Sequence, residues 1–403
     1  MSDNIKNNCR KYLDKLCKDI SERPVGNENN ILATDYFNRV IKSFGFETKA
    51  NQFDCLDWED EGSTLTVSGN KFAVHTGPYS KGCAVKAPLC VVKSIEELRN
   101  VNAEGKVILL KDEITKEHLM PKNFPFYNPE HHQEIIKNIE KSGCKAIIAA
   151  TSENPEVAVG EYPFPFIEDG DFDVPYVYMK DEEGEMLEKY AGKRVELKIN
   201  SKRKPAKGYN IVAQKGESKE KVVFCAHIDS KKDTPGAIDD AGGITVLLLL
   251  AELMKNYKNK LTIEIVALNG EDYYSNPGEI MYLKNNEEKL SDIILAVNLD
   301  GVGYFKGKTA YTTYECPTQM KKTIDSSFSL NNEIVTGDPW YQGDHMIFVQ
   351  NKRPALALTS TAMDDLLAIG HTPDDNLGIV DKEKLVTISK ALKDLILNLN
   401  QSF

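Results

Sequence analysis

Apolar positions in the first part of the chain fall at helical spacing. Ile5, Cys9, Leu13, Leu16 and Ile20 recur every three or four residues, which predicts a helix with one buried face. A turn-like Arg23-Pro-Val-Gly26 follows. A second helix then carries Leu32, Tyr36, Phe37, Val40 and Phe44 on its apolar side, with Gly45 at its stop. From about 61 to 199 the runs shorten. β-rich stretches at Thr64–Val67, Lys106–Leu110, Ala146–Ala150 and Val195–Ile199 surround one helix bearing Ile135, Ile136 and Ile139, and Pro- and aromatic-rich loops intervene. From about 208 strands and helices alternate. Val222–Ala226, Leu261–Leu268, Ile293–Leu299 and Ala355–Leu358 read as strands, and Ile244–Met254 and Glu383–Leu399 as helices. This order predicts an α/β fold, a mixed, mostly parallel sheet sandwiched by helices, with an inserted smaller β-rich α/β domain. The expected boundaries are 1–60 and 200–403 for the larger domain and 61–199 for the insert. Lys202, Arg203, Lys204 and Lys207 read as a solvated linker between them.

Composition narrows the function. The chain has 403 residues, 41% apolar and 28% charged, so it can bury a large core. Its net charge of −11 argues against general nucleic-acid or anionic-membrane binding, which rest on excess Lys and Arg. The most apolar stretch, Ile244–Ala251, is far short of the ~20 residues of a membrane helix, and the first residues lack a signal-peptide pattern. Eight dispersed cysteines without a C-x-x-C pair predict free thiols and a cytoplasmic protein.

Candidate chemistry gathers where ligands bind in such sheets, beyond the carboxyl ends of the strands. His227 and Asp229 follow one strand, Asp239 and Asp240 precede a helix, Glu271 and Asp272 follow a second strand, Asp300 ends a third, and His371 sits in Gly-His-Thr-Pro-Asp-Asp. Each alone reads as a cap, a turn residue or a structural histidine. Their recurrence at strand after strand does not. Carboxylates clustered on one face repel one another unless a cation neutralises them, and His with Asp and Glu suits zinc, cobalt or manganese. His131 and His132 are adjacent and read as a surface helix start whose side chains diverge. Trp340 and Tyr341 read either as pocket wall or as packing.

These motifs, His227-Ile-Asp229, Gly236-Ala-Ile-Asp239-Asp240, Asn269-Gly-Glu271-Asp272, Asn298-Leu-Asp300 and His371-Thr-Pro-Asp374, resemble in order the co-catalytic zinc aminopeptidases of the bacterial leucyl aminopeptidase and aminopeptidase Y type. Glutamate carboxypeptidase and the glutaminyl cyclases are relatives of that family. Gly343-Asp344-His345 with Phe348 resembles its Ser-Asp-His-x-x-Phe segment, and Arg23-Pro-Val-Gly26 its opening. The stretches Gly105–Leu110, Ile139–Ile148 and 174–177 resemble an inserted protease-associated domain. The resemblance implies a zinc exopeptidase fold and two zinc ions, one on His227 and Asp300, the other on Asp272 and His371, with Asp239 bridging. It implies Asp229 orienting His227, Glu271 as general base, and Asp240, Asp344 and His345 shaping loops. The substrates would be peptides attacked at their N-termini, with neither nucleic acid nor membrane as partner and homo-oligomerisation left open.

The chain departs from the pattern at three points. Asp272 stands where most such enzymes have Glu, Tyr273–Glu279 replaces the usual Gly-Leu-x-Gly-Ser, and Gly370 stands where some relatives have Tyr. Three rival readings share the scaffold: a glutaminyl cyclase-like acyltransferase, a carboxypeptidase, and a non-catalytic interaction protein.

Overall fold

A computed structural model describes residues 2–153 and 161–402. They form two compact units: the residues up to Cys55 together with those from Lys207 onward, and the stretch Leu56–Ala206.

In the larger unit one mixed sheet runs in the order Ile334–Thr336, Thr309–Tyr314, Ala355–Ser360, Ile293–Leu299, Lys221–His227, Thr262–Leu268, and then residues 211–215. The central strands are parallel. Thr309–Tyr314 and residues 211–215 add antiparallel pairings toward the two sides. Lys221–His227 and Thr262–Leu268 are buried at every position, as parallel strands covered on both faces must be. Alternate residues serve alternate faces. Ile263, Ile265 and Ala267 join the core formed with Leu247, Leu385, Ile388 and Leu392 of the helices Gly242–Leu253 and Lys382–Ser402. Glu264 points the other way and accepts from Tyr282 Oη at 2.6 Å, and the Tyr282 ring meets Phe348 at 5.7 Å. The helices Pro277–Asn286 and His345–Gln350 therefore cover the second face.

The smaller unit has its own parallel core. Cys83–Val92, Val107–Leu110, Ala146–Thr151 and Tyr176–Lys180 lie side by side in that order. Residues 194–199 run antiparallel to the first of them, and His75–Thr76 antiparallel to the last. Alternation again divides the apolar residues. Ile108, Leu110 and Ile147 pack with Ile135, Ile136 and Ile139, while Val107, Leu109 and Ile148 pack with Leu187.

The Lys-rich stretch expected as a linker is instead part of the strand Arg194–Lys215. Three of its charges have partners. Arg203 Nε donates to the Tyr79 carbonyl at 2.6 Å, Lys204 pairs with Glu59, and Lys207 pairs with Asp54. Among the described residues no helix is long and apolar enough to cross a membrane. All eight cysteines are free thiols.

Candidate metal centre

Parallel register levels the strand ends. Leu268 lies beside His227, and Asn298 beside Cys225, so the segments that follow these strands emerge on one edge. Two donor groups form there and share Asp239: His227, Asp239 and Asp300 in one, Asp239, Asp272 and His371 in the other, with the ligand atoms of each group within 4.8 Å of one another. Asp239 Oδ1 is 2.9 Å from His227 Nε2 and Asp239 Oδ2 is 3.3 Å from His371 Nε2. Asp272 Oδ1 is 2.7 Å from His371 Nε2, so the shorter Asp arm reaches its partner. Burial is graded. The His227 side chain is 1% exposed and Asp272 4%, whereas Asp239 and His371 are each 23% exposed. The group is more open to solvent at Asp239 and His371 than at His227 and Asp272.

Electrostatics make this cluster a poor resting place for bare charges. Burial, with repulsion from Asp239 and Asp272, pushes Asp300 up to about 7 against the pull of His227. Burial and the same neighbouring acids push Glu271 well above the usual carboxylate range. Asp239 goes the other way: against burial, its contacts with His227 and His371 hold it well below that range. Both ring nitrogens of His227 and Asp272 Oδ2 lack a hydrogen-bond partner although buried. A short nitrogen–oxygen approach without hydrogen-bond geometry is what two donors to a common cation present. Buried acceptors facing one another are satisfied by a divalent metal pair. The residues fit zinc in number and type.

Buried groups from elsewhere in the chain hold the donors in place. Asp229, expected to orient His227, lies 3.7 Å from His227 Nδ1. Its oxygens accept from the Gly270 and Asp272 backbone N–H groups at 2.7 and 3.0 Å, fixing the turn that carries Glu271 and Asp272. Asp375 was not singled out from the sequence. It accepts from the N–H groups of Ile238 and Asp239 at 2.7 and 3.0 Å and ties the His371 segment to the Asp239 segment. Arg23 is 1% exposed and donates to carbonyls of the loop between His227 and Asp239, including Pro235 at 2.7 Å. No local spacing announces either role, because the partners are backbone groups distant in sequence.

The remaining candidates are accounted for by packing. Asp240 Oδ1 accepts from Gly243 N–H at 2.8 Å at the start of Gly242–Leu253. His345 places Nε2 3.0 Å from the Trp340 carbonyl, and burial lowers it to about 4, so it is a neutral ring. Trp340 is half-buried beside Asp300: a Cβ at Gly343 would stand 2.9 Å from the indole and 3.0 Å from Asp300 Oδ2, which requires glycine there. Tyr341 is 69% exposed.

His131 and His132 do open the helix Glu130–Lys141, but their side chains converge rather than diverge. Their rings are 4.3 Å apart, and both Nε2 atoms approach Glu117 Oε1, at 2.7 and 3.2 Å. A loop carboxylate has drawn them together. The group resembles a metal site, yet Met120 N–H donates to His132 Nδ1 at 3.0 Å. The neutral ring then carries its proton on Nε2, leaving no lone pair there for a metal.

Comparison with known proteins agrees with this geometry. Residues 210–396 match Peptidase family M28. The chain is 25% identical over 269 residues to aminopeptidase YwaD of Bacillus subtilis, covering 63% of this chain and 57% of that protein. It is 24% identical over 340 residues to carboxypeptidase Q of Bos taurus, covering 80% of this chain and 68% of that protein. The matched stretch thus spans little more than half of YwaD. Among solved structures, the zinc aminopeptidase BSAP of Bacillus subtilis superposes with a TM-score of 0.77 at 18% identity, covering 98% and 95% of the two chains. An aminopeptidase from Aneurinibacillus sp. strain AM-1 gives 0.72 at 20% identity, covering 97% and 93%. The segment 210–396 that matches the family model supplies every donor of the candidate metal centre.

Proposed function

We propose that this chain is a zinc-dependent aminopeptidase that removes N-terminal residues from peptides. The observation that carries the reading is Asp239, whose two oxygens face different imidazoles, His227 and His371. That arrangement supports a carboxylate shared by two ions, one held with His227 and Asp300, the other with Asp272 and His371. Relatives named as zinc aminopeptidases support zinc, and cobalt or manganese suits the same donors. When bound, the ions supply Lewis acidity that acidifies water and polarises the scissile carbonyl. Glu271, adjacent to Asp272, takes the proton of the attacking water and returns it to the leaving amine. Asp229 and Asp375 keep these groups in register through the backbone bonds described above. The cationic α-amino group of a peptide is drawn to the carboxylates from the accessible Asp239–His371 side. The Leu56–Ala206 unit is read as a protease-associated module, which its short parallel core supports. The free thiols support a reducing, cytoplasmic setting.

Mass spectrometry of an unblocked peptide library, incubated with the zinc-loaded protein and with Glu271→Gln, tests the reading. Loss of N-terminal residues should fall about 10²–10⁴-fold in the variant at unchanged zinc content. C-terminal trimming would move the activity to a carboxypeptidase, and loss of ammonia from N-terminal Gln to a cyclase.

A further inference from the structure

Two carboxyl groups remain once the metal centre is assigned. Glu279, the third residue of Pro277–Asn286, is 1% exposed, and neither of its oxygens has a hydrogen-bond partner. Asp344, directly before His345–Gln350, is 3% exposed with Oδ2 likewise unpartnered. They come from different segments and meet within hydrogen-bonding reach. Two ionised carboxylates so placed, acceptor-only and out of water, repel with nothing between them. One proton turns the contact into an O–H···O⁻ bond, the short, strong kind. The charged groups that act on the pair include Asp229, Glu271 and His227. Burial pushes Asp344 well above the carboxylate range and Glu279 up to about 7, the direction expected of a pair that keeps one proton between them.

The location of the pair gives it a task. The start of Pro277–Asn286 is bonded to the Glu271 turn. Asn276 Nδ2 donates to the Gly270 and Glu271 carbonyls at 3.2 and 3.3 Å. Asn210 donates to the Gly278 carbonyl at 2.7 Å and accepts from Asn269 N–H at 3.1 Å. Glu279 is the next residue. On the other side, Asp344 follows Gly343, which is pressed between Trp340 and Asp300. We propose that Glu279 and Asp344 share one proton as a buried acid–carboxylate latch that positions Glu271 against Asp300, tying the turn of one to the loop beside the other. Both are positioning residues, and this role rests on the aminopeptidase reading.

The test compares zinc-loaded wild type with Glu279→Ala, Asp344→Ala, their double variant, Glu279→Gln and Asp344→Asn. Release of N-terminal residues, zinc content and melting temperature are measured for each. The alanine variants should lose about 10–100-fold in kcat, as misplacement of a reacting group does, with KM and zinc content unchanged. The double variant should lose no more than either single one. Each amide variant should stay within about threefold of wild type, because an amide N–H stands in for the shared proton. Alanine variants that melt lower yet keep kcat would reduce the pair to filling and overturn the positioning role. Amides as impaired as the alanines would overturn the shared proton. Should the alanines not fold, the amides decide alone by the same criterion. If wild type itself releases nothing, the positioning role falls with the aminopeptidase reading. The shared proton is then judged by whether the amides melt like wild type.

Discussion

Arg23→Ala should destabilise the larger unit and loosen its metal site together. The guanidinium is 1% exposed and spent on backbone carbonyls. Nε donates to Ile228 at 2.8 Å, Nη1 to Pro235 at 2.7 Å, Ser21 at 2.9 Å and Leu16 at 3.3 Å, and Nη2 to Gly236 at 3.0 Å. Three of these carbonyls lie in the loop joining His227 to Asp239. At about 1.5–3 kcal/mol for each bond to a charged donor, the gross interaction is roughly 10 kcal/mol. Alanine also relieves the desolvation of a buried cation, several kcal/mol in the opposite direction, so the net loss should be about 3–5 kcal/mol. At about 2–4 °C per kcal/mol for a domain of this size, calorimetry should record a fall of roughly 10 °C. Arg23→Lys, with three donors on a point charge, should recover about half. Zinc titration should show weakened binding in both variants. An alanine variant that melts within about 2 °C of wild type, or a lysine variant indistinguishable from it, would refute the idea that this fork organises the loop.

Three further outcomes are expected. Asp272→Glu should lower zinc content, measured by atomic emission, because Asp272 Oδ1 already lies 2.7 Å from His371 Nε2 and a side chain one methylene longer carries its carboxylate past that position. His345 has a folded pKa of about 4, below its ordinary 6.5, so the unfolded chain binds the proton first. Its contribution is complete above pH 6.5 and lost as pH falls toward 4. Urea melts with chelator present should show wild type losing about 3 kcal/mol relative to His345→Asn across that window, and parallel curves would refute the assignment. Substituting His132 by Ala should leave the zinc stoichiometry unchanged, and ¹⁵N NMR should find the proton of His132 on Nε2. A lost zinc equivalent would show that the Glu117 group binds metal after all.

Much of the larger unit was legible because its central strands are apolar on both faces and end abruptly in His, Asp or Glu. Val222–Ala226 followed by His227, and Ile293–Leu299 followed by Asp300, give both the element and its chemistry in one reading. The long strands Glu47–Val67 and Arg194–Lys215 were not legible at full length, since lysines, acids, Pro205 and Gly208 interrupt any alternation. Partners distant in sequence stabilise them: Lys207 finds Asp54 and Lys204 finds Glu59. His131 and His132 misled for the same reason, since Glu117 lies outside their helix.

The residues that escaped sequence reading share one physical feature. Asp375, Asn276 and the Arg23 fork each bond to backbone groups of another segment, and a backbone N–H or carbonyl has no residue type to recognise. Asp229 was found, but its bonds to Gly270 and Asp272 were not. Together these contacts join the loops that carry His227, Asp239, Asp272 and His371 to one another or to their supports. Donor identity can therefore be read one residue at a time, whereas donor geometry depends on a network whose members act jointly. Substitutions in that network should combine less than additively, because the first to break a tie already releases the loop that the second would have held.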